Sequence, residues 1–407
     1  MSLFVTDGEQ RATLAVVRAL GAAGVSVTVG SSQTTSLAGS SRFCAKRVCY
    51  PPPEDGRGFL VFLLEELQRE RYSVLLPMTD LTMQLISSVR DVIPSSVKVP
   101  IPRHEQVTTV QDKRQMIALA DKVGIACPET AVVSDPQELQ EIARRAHYPV
   151  VVKPRFSRFF REGKLVSGAV QYAHDAAELI ARYRQMDALI PQPLIQEKLD
   201  GDGKGVFLLV WDGELKAAFC HRRLREKPPW GGASVYCESV ALDQDLVDKS
   251  YALLKAVGWQ GVAMVEFKVD RRNGQAKLME VNGRFWGSLQ LAIDAGVNFP
   301  LMLYCLAKGE NVPSKFDYRV GIKSRWLLGD LDHLLIRLTY SGPMNGALSC
   351  LGSKSRAILD FIKLYERSTR FDVMRLDDPG PAWFEMKKFV GDTLFRHRPR
   401  REAAHAR

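Results

Sequence analysis

Two neighbouring segments carry acidic residues at a spacing that could hold a metal ion. GVAMVEFKVD and QAKLMEVNGR alternate apolar and polar residues on either side of RRNG, a pattern typical of a β-hairpin. A three-residue loop with Gly274 at positive φ would place Glu266 opposite Glu280, with Asn282 two residues further on the same face. Facing carboxylates repel each other unless a cation lies between them. Hard oxygen ligands of this kind suit Mg²⁺ that bridges phosphates.

Arg284 follows on the same strand. Its guanidinium would lie beside the acidic face, where it could stabilise charge on a phosphoryl group. The register of the hairpin decides whether Glu266 and Glu280 lie on the same face. A two-residue loop would turn Glu280 away from Glu266 and leave both as solvent-facing residues of an ordinary hairpin. The metal-site hypothesis therefore predicts the three-residue loop.

The elements before this hairpin alternate between strands and helices. At 407 residues the chain exceeds one ordinary core. Residues 3–30 have the pattern of a strand, a helix and a strand, and a helix, a buried strand and another helix extend to about residue 93. This predicts a small Rossmann-like sheet, but DGEQRA lacks the GxGxxG fingerprint of a dinucleotide site.

A second segment has a mixed α+β pattern. The helix TTVQDKRQMIALADKVG opens it, the buried strand YPVVVKP follows, and the strand PLIQEKL closes it. A hairpin turning at Asp212 and Gly213 comes next, and then a helix from Gln244 to Val257. Beyond about Lys315 helices dominate. The fold class is therefore α/β together with α+β.

Composition indicates a folded globular protein, with 46% apolar and 25% charged residues. An apolar run long enough to span a bilayer is absent, as is a signal peptide, so we expect no transmembrane segment and a cytoplasmic location. The seven cysteines are scattered without a CxxC pair, which argues against a disulfide framework or a zinc site.

The net charge of +10 is concentrated at the end of the chain. Residues 387–407 hold seven Lys and Arg against two Asp and Glu, which is half of the excess. We expect a largely disordered, solvated basic tail, with contact to an acidic partner or membrane surface as the alternative. Specific nucleic-acid binding is not predicted.

The order of these motifs resembles the ATP-grasp superfamily, especially its branch near biotin carboxylase, carbamoyl-phosphate synthase and the carboxylate–amine ligases. The resemblance covers roughly residues 1–310. In that family a strand-borne glutamate precedes a strand that reads E-x-N-x-R, as Glu266, Glu280, Asn282 and Arg284 do here. The resemblance implies that the first three bind Mg²⁺, with Mn²⁺ as a second candidate. Arg284 would hold a phosphate or the reacting acid.

Upstream residues match the family's nucleotide site. Lys113 in QDK and Lys153 in VVVKP resemble two lysines that neutralise ATP phosphates, and Lys153 joins Arg284 among the implied catalytic residues. QEKL resembles the hinge beside the adenine, with Glu197, Lys198 and Leu199 in the matching positions. Taken singly, each of these could be an ordinary surface residue.

The phosphate loop departs from the family pattern, which places several glycines between the lid strands. RFSRFFREGKLVSG has only Gly163 and Gly168. Either side-chain cations replace part of the backbone cradle, or this is a solvated basic loop. The cations of the loop are Arg155, Arg158, Arg161 and Lys164.

CHRRLREKPPWGGASV resembles the substrate loop of ATP-grasp ligases that act on amino or hydroxy acids. Glycine amides, a hydroxyl and guanidinium groups together suit a carboxylate. A structural basic loop is the alternative, and Trp286 in NGRFWGS is expected in the core. The implied substrate residues are His221, Arg222, Arg225, Gly232 and Ser234.

The resemblance implies an ATP-grasp fold in four segments. These are a Rossmann-like pre-ATP domain at 1–106, a small lid lobe with its leading helix at 107–199, a larger core lobe with the metal site at 200–314, and a helical extension with a basic tail at 315–407.

The implied function is an ADP-forming ligase. ATP would convert a carboxylate into an acyl phosphate, which an amine then attacks. The partners would be small-molecule carboxylic acids and amines, and a homodimer is left open. The alternatives are a bicarbonate-activating enzyme of the carboxylase or carbamoyl-phosphate type, and a non-catalytic nucleotide-binding regulator.

Overall fold

The structure, a computed structural model, describes residues 2–161, 164–340, 353–363 and 368–395. Its strands form three larger sheets and one small hairpin. The larger sheets correspond to three lobes: a parallel sheet near the N-terminus, a small antiparallel sheet and a large seven-stranded sheet. The mixture of α/β and α+β lobes agrees with the predicted fold class.

The first lobe is a four-stranded parallel sheet in the order β3-β2-β1-β4. The Rossmann-like opening is therefore confirmed. The sequence pattern missed β3, since this edge strand is mostly polar and exposed and lacks an apolar face. The elements are β1 Ser2–Val5, α1 Arg11–Ala22, β2 Ser26–Ser31, β3 Cys44–Cys49, α2 Gly56–Arg69, β4 Tyr72–Leu76 and α3 Asp80–Ser88.

The helix predicted to lead into the second lobe is two helices that meet at Asp112. This residue has extended backbone (φ −84°, ψ 102°), and its side chain caps the second helix by accepting from the backbone N of Arg114 and Gln115. A capping carboxylate competes with a continuous helix at this position, so the single predicted helix was wrong. The two are α4 His104–Gln111 and α5 Lys113–Lys122.

The small lobe is an antiparallel sheet in the order β5-β10-β6-β9, with two helices on it and a hairpin at its edge. Its hydrophobic core is its own, built from residues such as Leu139, Val152, Leu179 and Ile195. The elements are β5 Thr130–Val132, α6 Pro136–Arg145, β6 Val150–Lys153, β7 Arg158–Arg161, β8 Lys164–Ser167, β9 Gln171–Ala173, α7 Ala176–Leu189 and β10 Leu194–Glu197.

The large sheet has the order β15-β14-β11-β12-β13-β16-β17. The predicted hairpin at Asp212 and Gly213 is confirmed, with φ of +50° and +76° at these two residues. The elements are β11 Gly201–Trp211, β12 Glu214–Lys227, β13 Ala233–Val240, α8 Gln244–Val257, β14 Gly261–Asp270, β15 Ala276–Asn282, α9 Leu289–Ala295, α10 Phe299–Ala307, β16 Lys323–Arg325, α11 Leu327–Thr339, α12 Lys354–Ile362, β17 Thr369–Phe371 and α13 Gly380–Phe395.

Helices dominate after residue 315, as predicted, but this part is not a purely helical extension. β16 pairs with β13, and β17 pairs with β16, so the last segment completes the large sheet. α13 also includes residues 387–395 of the tail that was expected to be disordered. Residues 396–407 lie outside the described residues. Among the described helices, none alone has the length and apolar character to cross a bilayer, although α9 and α10, bent by 92°, pass that test as a pair.

The first lobe and the large sheet share their hydrophobic core. Leu3 and Val17 of the first lobe belong to one cluster with Phe207 of β11 and Leu291 of α9. The separate core of the small lobe means that it can shift relative to the other two without opening a common core.

A buried ion pair fastens the end of the chain to the first lobe. Arg18 in α1 donates from Nε to Asp378 Oδ2 at 2.8 Å, and its Nη atoms donate to the carbonyls of Asp372 and Val373. Asp378 also accepts from Ser41 Oγ at 2.7 Å. Removing one partner of a buried pair leaves the other charge uncompensated.

We predict that Asp378→Ala lowers the free energy of unfolding by about 3 kcal/mol, because Arg18 would be left buried without its carboxylate. Urea titration followed by circular dichroism measures this loss. Asp377→Ala is the matched control, since Asp377 is exposed and the change in charge is the same. Equal losses for the two variants would contradict the role given to the ion pair.

Candidate functional site

The two glutamates of the hairpin face each other. Glu266 of β14 pairs with Glu280 of β15, and Asn282 follows two residues further on the same face, where its Nδ2 donates to Glu280 Oε1 at 3.0 Å. This is the predicted juxtaposition. Two carboxylates and an amide oxygen therefore lie on one face of the large sheet, at the edge formed by β14 and β15.

The loop that precedes this pair is not the predicted one. Asp270 N donates to Gln275 O at 2.9 Å, which closes a four-residue loop at 271–274, with Gly274 at φ +71° as expected. Near this loop Phe267 pairs with Leu278, a register that would place Glu280 opposite Val265. The register shifts before Glu266, where β15 contains the extra residue Met279. A β-bulge therefore brings the glutamates together, and the predicted three-residue loop was wrong.

Glycines keep the face beside Glu266 open. Gly205 of β11 lies between Glu266 of β14 and His221 of β12, and paired residues of neighbouring strands share a face. A Cβ on Gly205 would lie 2.6 Å from Phe207 Cζ and 2.9 Å from His221 Cδ2. One on Gly203 would lie 2.9 Å from Arg223 Cδ. The alternating glycines in GDGKG were the sequence pattern that could have revealed this opening.

Arg223 crosses the space that these glycines leave. From β12 it reaches over β11, and its Nη2 lies 2.5 Å from Glu266 Oε2. Its Nη1 donates to Glu226 Oε1 at 2.9 Å and to Gly232 O at 3.2 Å. Sequence reasoning did not include Arg223 among the site residues, although alternation along β12 puts it on the same face as His221.

The environments of the two glutamates push their pKa values apart. Burial raises the pKa of Glu266, and the charge of Glu280 adds to this, while Arg223 partly offsets both. Burial also acts on Glu280, but Lys113, the amide of Asn282, Lys153 and Arg284 outweigh it and lower its pKa. Glu280 is therefore the carboxylate that stays ionised most readily.

Two lysines from different elements lie in the same cleft as these carboxylates. Lys113 is the first residue of α5 and donates to Ser157 Oγ at 2.9 Å, and Lys153 ends β6. Burial lowers the pKa of Lys153 to about 8, and Lys113 contributes to this, whereas Glu280 opposes it. Neighbouring ammonium groups favour a polyanion between them.

An ion pair holds together the two elements that contain these lysines. Arg155, two residues after Lys153, donates to the buried carboxylate of Asp112 from Nε at 3.0 Å and from Nη2 at 2.6 Å. Asp112 caps the helix that starts with Lys113. Arg155 was expected to be a cation of the phosphate loop, but its guanidinium instead fastens β6 to α5.

Only part of the predicted phosphate loop lies within the described residues. Arg158 is exposed at the start of β7, and Gly168 packs closely enough that a Cβ would lie 2.7 Å from Pro154 Cβ. Gly163 and the side chains of Arg161 and Lys164 lie outside the described residues.

The hinge residues line the same cleft. Glu197 accepts from Lys277 Nζ, from Arg272 Nη2 at 3.0 Å and from the backbone N of Glu129 at 3.0 Å. These bonds lower its pKa although burial opposes them. Its carboxylate therefore joins the small lobe to the hairpin.

The other two hinge residues are held by their own contacts. Lys198 Nζ lies 3.8 Å from Asp200 Oδ1. Leu199 is buried, and its carbonyl accepts from Lys268 Nζ at 2.9 Å. An apolar side chain beside fixed backbone groups suits one edge of a flat ring system.

The segment predicted to be a substrate loop begins as the end of β12, so its residues alternate between two faces. His221, Gly232 and Ser234 line the cleft. Arg222 points to the opposite face and pairs with Glu238 at 2.7 Å. The structure does not bring Arg222 to the other site residues.

Arg225 also lies outside the cleft. It donates to both oxygens of the buried Asp330, at 2.6 and 2.7 Å, and stacks over the Tyr236 ring at 4.5 Å. A register shift in β12 at this point turns the side chain toward α11. Arg225 therefore joins β12 to the last segment of the chain.

Arg284 lies at the boundary between two adjoining cavities. Its Nε donates to Asp80 Oδ2 at 3.0 Å and its Nη2 to Asn282 Oδ1 at 3.1 Å. One cavity, of about 440 Å³, contains the glutamates, the lysines and the hinge. The other, of about 550 Å³, extends toward α13 and shares Arg11, Ala233, Arg284 and Gly287 with the first.

The residues at the hairpin fit a hard divalent cation. Among the described residues, none form a group of three or more His, Cys, Asp and Glu side chains able to hold a metal ion. Glu266, Glu280 and Asn282 offer two carboxylates and an amide instead, and this leaves ligand positions open for phosphate oxygens and water. Such an oxygen-only set suits Mg²⁺ or Mn²⁺.

Comparison with solved structures identifies the fold. The L-amino acid ligase from Bacillus licheniformis has a TM-score of 0.60 at 16% identity, covering 76% of this chain and 75% of that one. Biotin carboxylase from Campylobacter jejuni has a TM-score of 0.63 at 13% identity, covering 79% and 74%. The chain therefore has the ATP-grasp fold, as the resemblance in its sequence implied.

Residues 190–328 match a family model described as "ATP-grasp in the biosynthetic pathway with Ter operon". The curated relatives include the N-terminal section of the carbamoyl phosphate synthase large chain from Methanopyrus kandleri, 24% identical over 47% of this chain. Another is the multifunctional protein pyr-3 from Neurospora crassa, 22% identical over 67% of it. The chain spans 34% of the first relative and 16% of the second.

We predict that the affinity for an ATP analogue depends on the charge of Lys153. Its pKa of about 8 means that the ammonium is charged below that pH and is lost as the pH rises through it. Phosphate binding favours the charged form, so the affinity should fall by up to about tenfold per pH unit above the pKa. Titration calorimetry across this range, with Mg²⁺ constant, measures the profile.

The control is Lys153→Arg, which keeps the positive charge at every pH in the range. This variant should bind with an affinity that changes little with pH. Identical pH profiles for the variant and the parent protein would mean that another group titrates.

We also predict that Gly205→Ala destabilises the protein by about 1–3 kcal/mol, because the new Cβ overlaps Phe207 and His221. Thermal unfolding detects the change. Gly391→Ala in α13 is the control, since a Cβ there meets no atom within 4 Å. An unchanged melting temperature for Gly205→Ala would show that the cleft has room that the packing does not predict.

Proposed function

We propose that the protein is an ADP-forming ligase that uses ATP and Mg²⁺ to activate a carboxylic acid for attack by an amine. One observation carries this proposal: Glu266, Glu280 and Asn282 share a cleft with Lys113 and Lys153. Oxygen ligands for a metal and cations for phosphates are thus combined at one place.

The cleft contains groups suited to the adenine and groups suited to the phosphates of ATP. The hinge at 197–199 offers backbone groups and an apolar side chain for the adenine, and Lys113 and Lys153 neutralise the phosphates. Glu266, Glu280 and Asn282 would hold Mg²⁺, which supplies Lewis-acid stabilisation of charge on the phosphoryl oxygens.

In the first step, a carboxylate oxygen of the acid attacks the γ-phosphorus of ATP, the bond to the β–γ bridging oxygen breaks, and ADP leaves. In the second, the amine nitrogen attacks the acyl carbon, inorganic phosphate leaves, and the nitrogen loses a proton. Positioning and neutralisation of charge supply the rate, since neither step needs a covalent bond to the protein.

Arg284 would act on the reacting groups from the junction of the two cavities. In the structure it donates to Asp80 of the first lobe and to Asn282. A guanidinium at this point can bind the carboxylate of the acid and then stabilise the charge that develops on the transferring phosphoryl group. The adjoining cavity provides a route by which the second substrate could approach the same point.

The separate core of the small lobe supports closure over the nucleotide. Lys153 belongs to that lobe, whereas Glu266 and Glu280 belong to the large sheet. A shift of the lobe toward the sheet would shorten the path between cation and metal and exclude water, which otherwise hydrolyses an acyl phosphate.

Bicarbonate activation is a second candidate. It is favoured by the similarity to carbamoyl phosphate synthase and biotin carboxylase, and by a fold shared with N5-carboxyaminoimidazole synthetase from Staphylococcus aureus in complex with ADP, at a TM-score of 0.60 and 12% identity. Both candidates use the same ATP and metal site. They differ in whether bicarbonate alone, or an organic acid with an amine, stimulates ADP release.

We predict that Glu280→Gln lowers kcat/KM for substrate-dependent ADP release at least about 100-fold, equivalent to about 2.7 kcal/mol, because the metal loses its most readily ionised ligand. A coupled assay of ADP release measures this. Glu214→Gln is the matched control, since Glu214 lies at an exposed hairpin end. Undiminished activity of Glu280→Gln in a folded protein would refute the metal assignment.

The substrate class is tested by the same assay with organic acids, amines and bicarbonate supplied singly and in pairs. ADP release that requires both an acid and an amine supports the ligase. Release with bicarbonate alone supports the second candidate. Binding of ATP without ADP release in any arm would overturn both in favour of a nucleotide-binding regulator.

A further inference from the structure

Four buried polar atoms around the cleft have no hydrogen-bond partner within the described part of the chain. One is Oγ of Ser234, and the other three are nitrogens: Nε2 of His221, Nε1 of Trp286 and Nε of Arg223. His221 and Trp286 are each 1% exposed, and all three residues line the cavity that contains Glu266. Buried polar atoms in folded proteins are normally paired, so their grouping at one cavity points to a partner from outside the chain.

Aromatic packing fixes two of these groups in place. The Phe207 ring lies 4.3 Å from the Trp286 ring and 4.7 Å from the His221 ring, measured between centroids. Trp286 also packs edge-on against Phe299 at 5.2 Å. Trp286 was expected to be a core residue, and it is one, but its indole N–H remains unused. The cluster is rigid and prepared for a ligand, which limits the entropic cost of binding.

The unpaired atoms select the chemistry of their partner. An indole Nε1 and a guanidinium Nε can only donate, so each requires an acceptor atom. An ammonium group has only hydrogens to offer and cannot satisfy either. Burial lowers the pKa of His221 to about 3, so its imidazole is neutral and can donate or accept. An oxygen atom meets these requirements, whereas an apolar group leaves all three atoms unpaired.

His221 lies away from the point where phosphoryl transfer is proposed, whereas Arg223 extends from the same cluster to Glu266. His221 is on β12, and Glu280 is on β15, three strands further across the sheet. Neighbouring strands are about 4.8 Å apart, so roughly 14 Å separates the two backbones. A carboxylate that reacts beside Glu280 cannot also contact His221, so the oxygen belongs to another part of the molecule.

We propose that His221, Trp286 and Arg223 form a subsite for a second oxygen of the acid, so that the substrate is a carboxylic acid with a hydroxyl, carbonyl or carboxylate oxygen several atoms from its reacting carboxylate. This inference rests on the proposed ligase function. It adds a substrate class that excludes acids with an ammonium or a plain apolar chain at that position.

The test compares sets of straight-chain acids of equal length. Each set contains the unsubstituted acid and its terminal hydroxy, oxo, carboxy and amino derivatives. At the length that fits the subsite, an oxygen derivative should exceed both the unsubstituted and the amino acid at least about tenfold in kcat/KM for ADP release, since a site built to hydrogen-bond rejects analogues that leave it unpaired.

Trp286→Phe removes the N–H and keeps an aromatic ring against Phe207. For the preferred oxygen acid it should lower kcat/KM by about tenfold more than for the unsubstituted acid, so that the ratio between the two acids falls by that factor. The matched control is Trp259→Phe, because Trp259 is equally buried but its Nε1 already donates to Val262 O at 3.2 Å. The control should not change the ratio between the two acids.

An equal fall for both acids in Trp286→Phe would overturn the inference, since the indole would then serve packing or the reacting carboxylate. Preference for the amino derivative would overturn it as well. Calorimetric binding of the same acids with a non-hydrolysable ATP analogue separates this inference from the proposed function. Selective binding of the oxygen acid without ADP release refutes the ligase and keeps the subsite, whereas binding without selectivity refutes the subsite.

Discussion

Electrostatic repulsion between two facing carboxylates is the constraint on which the rest of the site depends. Glu266 and Glu280 occupy opposed positions on neighbouring strands, an arrangement that destabilises a sheet unless positive charge compensates it. The surrounding structure supplies that charge from several directions. Arg223 reaches Glu266 from β12, while Lys113, Lys153 and Arg284 act on Glu280.

Each of these cations depends on a backbone feature that lies elsewhere. Arg223 reaches Glu266 only because Gly203 and Gly205 leave no side chains on the strand between them. Lys113 begins a helix because the side chain of Asp112 caps it, and Asp112 also binds Arg155, which follows Lys153 by two residues. The charge balance of the site is thus built from non-local contacts.

The hydrophobic cores divide the molecule into parts that differ in how easily they can move. The first lobe and the large sheet share one core, and Arg18 with Asp378 fastens the last segment to them. The small lobe has a separate core, and polar contacts at Asp112 and Glu197 connect it to the rest. A lobe held by ion pairs can move at lower cost than one that shares a core, which suits the closure over a nucleotide proposed above.

The sequence alone determined the features that arise from local patterns. Alternating apolar residues located β14 and β15, positive-φ residues located the turn at Asp212, and helical spacing located α8 within its observed bounds. The E-x-N-x-R pattern and its order after Lys113 and Lys153 predicted the ATP-grasp fold. These features depend on residues close together in the chain, so the pattern contains the information.

Tertiary structure decided everything that depends on pairing between distant segments. The bulge at Met279 set the register of the glutamates. β12 continues to Lys227 where a loop was predicted, and the alternation of a strand places Arg223 rather than Arg222 on the face of the cleft. The capping of α5 by Asp112, the exposed edge strand β3 and the late strands β16 and β17 likewise follow from contacts across the fold. A shift of one residue in a strand reverses which side chains face the site, and local propensity does not encode such a shift.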